Sequence, residues 1–157
     1  MKSVIKHDQQ FLDPAGRQVI LRGVNLVHKK PHEPLPWNKD DLQAITERGL
    51  NCIRLGMLWE QINPAPGRFD NTYLDRLETL VSQAGEAGIY VILDMHQDLF
   101  SYRITQRKEL GTDGEEWFAL HDGVKFDNAG GVWSDAYLTS ETVQRMFDNF
   151  WANKQVE

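Results

Sequence analysis

"GIYVILDMHQD", Gly88 to Asp98, changes character halfway along. Ile89 to Leu93 form an unbroken apolar run, and Asp94, His96, Gln97 and Asp98 then crowd four polar groups into five positions. A short apolar run of this kind is the pattern of a strand covered on both faces, as strands of parallel sheets are. Its polar end is either a strand running out into solvent or the wall of a site. The segments on either side decide between these.

Upstream, residues 71–88 place Tyr73, Leu74, Leu77, Leu80, Val81 and Ala84 at helical spacing, with Asp70 or Asn71 at the cap and Gly88 beyond the end. A loop with Pro64, Pro66 and Gly67 separates that helix from "NCIRLGML" (51–58), a second strand. Residues 37–50 carry helix punctuation: Asn38 as N-cap, Asp40 and Asp41 in the first turn, Leu42 and Ile45 on one face, Gly49 as the stop. "QQFLDPAGRQVILRGVNLV" (9–27) is a hairpin turning at Asp13-Pro14-Ala15-Gly16 and running into a further strand. Strand starts near 21, 51 and 89 are 30 and 38 residues apart, the size of successive βαβ units of a parallel sheet.

Downstream, residues 96–138 sustain neither helical nor strand periodicity, and a structureless stretch of that length in a compact domain is usually a functional loop or disordered. Residues 139–153 then read as an amphipathic helix, with Val143, Met146, Phe147 and Phe150 on one side and Thr139 or Ser140 as cap.

Composition narrows the function. A formal charge of −6 over 157 residues, with Lys and Arg interleaved among acids, argues against a nucleic-acid partner. Lone Cys52 excludes an internal disulfide and sits in an apolar stretch, where a small core residue is expected. No apolar h-region follows Met1, and nowhere do eighteen apolar residues run together. The chain as written reads as neither exported by a visible signal nor membrane-spanning; a trimmed leader would leave the same sequence, so localisation stays undetermined.

In parallel α/β folds ligands bind at the carboxyl ends of strands, where loops converge. The first strand here ends at Asn25, followed by His28, Lys29 and Lys30; the second carries Arg54 and ends near Trp59 and Glu60; the third carries Asp94 and ends with His96, Gln97 and Asp98. Each has a plainer reading. Arg54 could do no more than pair with Asp94 within the sheet, Lys29 could be a solvated surface charge, and His96 a structural histidine. Recurrence at three successive strand ends favours a site. A metal fits less well, because no His-x-His or Cys pair supplies a compact ligand set, and no cofactor is implied. Phe100, Tyr102, Trp117, Phe118, Trp133 and Tyr137 offer ring faces to sugars or acyl chains, or simply fasten the long loop to the domain.

At these residues the sequence resembles glycoside hydrolase family 5, the cellulase-like family, and within it the endoglycoceramidase branch. The resemblance rests on four blocks in order: "GRQVILRGVNLVHK", "GLNCIRLGMLWEQINPAPGRFDNTYLDRL", "GIYVILDMHQD" and "FDNFWAN". It implies a (β/α)8 barrel that cleaves β-glycosidic bonds with retention, using a Glu after strand four as acid/base and another after strand seven as nucleophile, about 5–5.5 Å apart. By the same resemblance Arg54 supports the nucleophile, His96 lies at the −1 sugar, and Lys29 and Asp98 hydrogen-bond the first sugar of a glycosphingolipid. Asn25 and Trp59, at the ends of the first two strands, are further candidate substrate contacts.

The sequence departs from the family in one large respect. Asn-Glu-Pro, the acid/base motif, occurs nowhere in it, and Glu60, Glu109, Glu115, Glu116 and Glu141 all precede the place where it should stand. Such a barrel needs about 200 residues or more. Residues 1–157 therefore read as the amino-terminal portion of one glycosidase barrel, the first three βα units preceded by a β-hairpin, with a long strand-three loop at about 96–138. The expected function is a retaining hydrolase of glycosphingolipids or related β-glucosides, seen without its catalytic glutamates and in transient contact with its lipid substrate. Alternatives are a β-glucanase of the same family and a non-catalytic carbohydrate- or partner-binding half-barrel. Sheet edges and an apolar face left uncovered by the remainder of the barrel would make the isolated chain prone to association, and it should show no glycosidase turnover.

Overall fold

The structure, a computed structural model, describes residues 4–30, 33–65, 67–96, 98–99 and 132–152. The elements run β1 (Ile5–His7), β2 (Gln10–Leu12), β3 (Gln18–Val19), β4 (Gly23–Leu26), α1 (Lys39–Glu47), β5 (Cys52–Leu58), α2 (Trp59–Ile62), α3 (Asn71–Glu86), β6 (Tyr90–His96), α4 (Ala136–Thr139) and α5 (Glu141–Trp151). The chain divides into two compact units, residues 1–28, 33–57 and 71–94 in one, and 29–32, 58–70 and 95–157 in the other.

The first unit carries the βαβ order that the sequence spacing calls for. β4 pairs parallel with β5, setting Asn25 opposite Arg54 and Leu26 opposite Leu55, and β6 lies on the other side of β5. Asn51 ties the strand starts together. Its side chain accepts from the Arg22 N–H at 2.8 Å and donates to the Ile20 carbonyl at 3.0 Å, while its own carbonyl accepts from Tyr90 N–H at 2.8 Å. Gly23 is demanded by close approach, because a Cβ there would stand 1.9 Å from the Cys52 carbonyl oxygen.

α1 begins at a capping box: the Asn38 side chain accepts from Asp40 and Asp41 N–H, and the Asp41 carboxylate accepts from Asn38 N–H at 3.0 Å. α3 buries Tyr73, Leu77, Leu80 and Ala84, one face of a helix at three- and four-residue spacing, and ends at Gly88 with φ +76°. Leu26 of β4, Leu42 of α1, Cys52, Ile53 and Leu55 of β5, and Ile89 are buried with it.

β1, β2 and β3 form a separate antiparallel sheet in that order. The turn expected at residues 13–16 is present. Gly16 has φ +77° and donates to the Asp13 carbonyl, and the Asp13 carboxylate accepts from Ala15 and Arg17 N–H, both at 2.9 Å. β1 extends the hairpin to three strands and was not evident in sequence, because Ile5-Lys6-His7 is exposed throughout and leaves no apolar alternation.

One expectation is overturned. The apolar run of β6 is not covered on both faces, since Ile92, Leu93 and Met95 are 46%, 56% and 42% exposed. Among the described residues β6 is hydrogen-bonded to a neighbour on one side only.

The second unit consists of the segments that follow the carboxyl ends of β4, β5 and β6. After β5 the chain turns directly into α2, a single turn too short to register as a helical period. Asn63 then pins the following loop, donating from its amide to the Ala65 and Arg68 carbonyls, both at 2.8 Å. The helix expected at 139–153 is present as α5, capped as expected by Ser140, whose hydroxyl accepts from Val143 N–H; a separate turn, α4, ends immediately before it at Thr139. Leu99, Ala136, Val143 and Met146 form the core of this unit, with Tyr137 and Phe147 packed against it.

Candidate functional site

The polar residues at the strand ends fall into two groups, one in each unit. In the first, the paired register of Asn25 and Arg54 sends both side chains from the same face of the sheet. Arg54 alternates with Ile53 and Leu55, which are fully buried, so this polar face is the opposite one. Arg54 Nη2 meets Asp94 Oδ2 at 2.6 Å, joining β5 to β6 by a charge-assisted contact between half-exposed groups. Such a pair adds little net stability in partial contact with water; its consequence is geometric, since it holds the guanidinium plane across the strand ends.

In the second unit Lys29 Nζ lies 2.6 Å from Asp98 Oδ2. The residues are 69 apart in sequence, one following β4 and the other following β6. An ammonium with three donors beside a carboxylate with several acceptor lone pairs complements vicinal hydroxyls, each of which donates and accepts. Asp98 is also held through its backbone, where its carbonyl accepts from the Tyr137 hydroxyl at 2.7 Å. Tyr137 packs against Phe147 with ring centroids 5.8 Å apart, and its own carbonyl accepts from the Gln144 side-chain amide.

Of the other candidates, Trp59 is half-buried and stands edge-on to Phe150 at 5.1 Å, so part of its ring is engaged in holding α2 to α5. His96 closes β6 and is half-buried. Gln97, Phe100, Tyr102, Trp117, Phe118 and the glutamates at 109, 115 and 116 lie outside the described residues, as does the side chain of Trp133. Among the loop aromatics Tyr137 is described, and it takes the fastening role. Its link to Asp98 has no sequence signal, because nothing in residues 132–140 marks a partner 39 positions away.

Cys52 is buried and its thiol is pushed up from the usual range by desolvation, which keeps it protonated and unreactive, a core residue as its apolar flanks imply. Among the described residues no three His, Cys, Asp or Glu side chains gather as a metal site would require, and no helix is long and apolar enough to cross a membrane.

Known proteins with the same arrangement define the family. The sequence profile "Cellulase (glycosyl hydrolase family 5)" matches residues 12–154. The endoglycoceramidase of Cyanea nozakii is 33% identical over 96% of this chain and 35% of its own length; endoglycoceramidase I of Rhodococcus hoagii is 38% identical over 91% and 28%. The structure of endo-glycoceramidase II from a Rhodococcus species in complex with ganglioside GM3 superposes with a TM-score of 0.72, at 33% identity over 92% of this chain and 34% of that one. The chain thus spans about a third of the length of the curated relatives it matches. With a profile match across nearly its whole length and strands laid out as the opening βα units of a TIM barrel, the chain belongs to glycosyl hydrolase family 5.

Proposed function

We propose that the chain supplies part of the sugar-recognition site of a retaining β-glycosidase of the endoglycoceramidase type, acting on glycosphingolipids or closely related β-glucosides. The observation that carries this reading is the Lys29–Asp98 pair at 2.6 Å, a donor–acceptor clamp beyond the ends of two strands. A relative of similar sequence binds a ganglioside, a lipid whose sugar offers the vicinal hydroxyls such a clamp would take.

In this reading Lys29 and Asp98 hydrogen-bond the first sugar and His96 meets the sugar at the scissile bond. Arg54, steadied by Asp94, orients the nucleophilic carboxylate, and Asn25 and Trp59 border the substrate. The double displacement needs two glutamates: one protonates the leaving oxygen while the other attacks the anomeric carbon, and the first then activates the water that releases the sugar. The acid/base motif Asn-Glu-Pro is absent from the 157 residues, and these residues accordingly bind and orient without carrying the chemistry.

Grafting residues 12–154 in place of the matching segment of the Rhodococcus hoagii enzyme tests this. The graft should hydrolyse lactosylceramide, and Lys29→Met or Asp98→Asn within it should lower kcat/KM for the lipid by about 10- to 100-fold, the loss of one or two hydrogen bonds to a charged group. A folded graft that cleaves cellobiose or aryl β-glucosides and ignores lactosylceramide and glucosylceramide would shift the assignment to a β-glucanase.

A further inference from the structure

We infer that Tyr137 is a positioning residue for substrate recognition: its hydroxyl sets the Asp98 carboxylate against Lys29, so that a segment some forty residues downstream fixes the clamp that reads the sugar. The inference rests on the sugar-binding reading of Lys29 and Asp98 and extends it to a residue with no place in that reading.

Asp98 lies just past the end of β6. Two anchors hold it. The Tyr137 hydroxyl donates to the Asp98 carbonyl at 2.7 Å, and the next residue, Leu99, is 5% exposed within the cluster of Ala136, Val143 and Met146. Both anchors belong to α4 and α5 or to the core these helices build. The Tyr137 ring is itself held by Phe147 and its carbonyl by Gln144, so the hydroxyl is presented from a fixed base. With the backbone fixed on both counts the Asp98 carboxylate has a short lever to Lys29 Nζ, and the 2.6 Å contact is made before any sugar arrives. Pre-set donors and acceptors bind more tightly than mobile ones because the ordering cost is met in advance. Tyr137 touches no reacting atom in this scheme and acts only through Asp98.

The test uses the full chain and two readouts. The first is the ¹H–¹⁵N signal of the Lys29 ζ-ammonium, visible when the group is held in an ion pair and lost to exchange when it is not. The second is affinity for lactose by titration. Tyr137→Phe keeps the ring against Phe147 and removes only the hydroxyl; it should abolish the ammonium signal and weaken lactose by about 3- to 10-fold, the worth of one neutral hydrogen bond, with the thermal midpoint nearly unchanged. Tyr137→Leu should lose the same affinity and stability as well. An intact ammonium signal in Tyr137→Phe, or lactose affinity equal to wild type there with loss only in Tyr137→Leu, would overturn the inference, since ring packing alone would then hold the loop. The two readings fail separately: if wild type and Asp98→Asn both ignore lactose, the sugar assignment falls while the ammonium signal still reports on Tyr137.

Discussion

β5 and β6 are both seven-residue strands of mostly apolar residues around one charge, Arg54 in β5 and Asp94 in β6, yet their environments differ. β5 buries Cys52, Ile53, Leu55 and Leu58 to 4% exposure or less, while β6 leaves Ile92, Leu93 and Met95 between 42% and 56% exposed. The cause is position. β5 has β4 on one side and β6 on the other; β6 has β5 alone among the described residues. An apolar pattern states the cover a strand is built for, and only its neighbours supply that cover. Ile92 and Leu93 instead line, with Val4, Phe11 and Leu21, an open groove of about 530 Å³.

Truncation should separate the two strands most strongly. Ile53→Ala, which empties a fully buried site, should cost about 2–5 kcal/mol, whereas Leu93→Ala should cost less than about 1 kcal/mol. Chemical denaturation with circular dichroism measures both, and equal costs would erase the distinction between the strands. The exposed face predicts a second, smaller effect: the chain should self-associate, and Leu93→Lys should shift sedimentation toward monomer while leaving the fold intact. A wild-type chain that stays monomeric at high concentration would show that β6 is covered.

The smallest effect lies in the hairpin that brings Phe11 to the groove. The Arg17 backbone N–H and guanidinium hold the Asp13 carboxyl below its usual range. A depressed folded value means the turn's contribution is complete above the unfolded aspartate range, at about pH 4, and fades as pH falls toward the folded value. Asp13→Asn should therefore lower the thermal midpoint slightly near neutrality, where the carboxylate's contribution is complete, and flatten the dependence of the midpoint on pH below about 4.

Much of this was legible before any coordinates. Asn38, Gly49 and Gly88 fix the limits of α1 and α3 through local chemistry, which sequence states directly, and the spacing of the strand starts states the parallel order. The Arg54–Asp94 pairing is equally readable, because a charge within an apolar strand calls for a partner on the next strand. β1 and α2 escaped because three and four residues carry no usable period. An uncovered apolar face was expected of a partial barrel, but not which residues carry it, Ile92 and Leu93 among them: periodicity reports the side chain's preference and says nothing of which neighbours are present. Tyr137 escaped because a contact across 39 residues of irregular chain has no local signature.

Titration of the 157-residue chain with lactose, followed by residue-resolved NMR, reads the Lys29–Asp98 clamp itself. Saturable shifts at Lys29 and Asp98, loss of binding in Asp98→Asn, and no hydrolysis of an aryl β-glucoside by the same sample are expected. Hydrolysis at enzyme-like rates, or binding that leaves both residues unmoved, would contradict the proposed role of the chain.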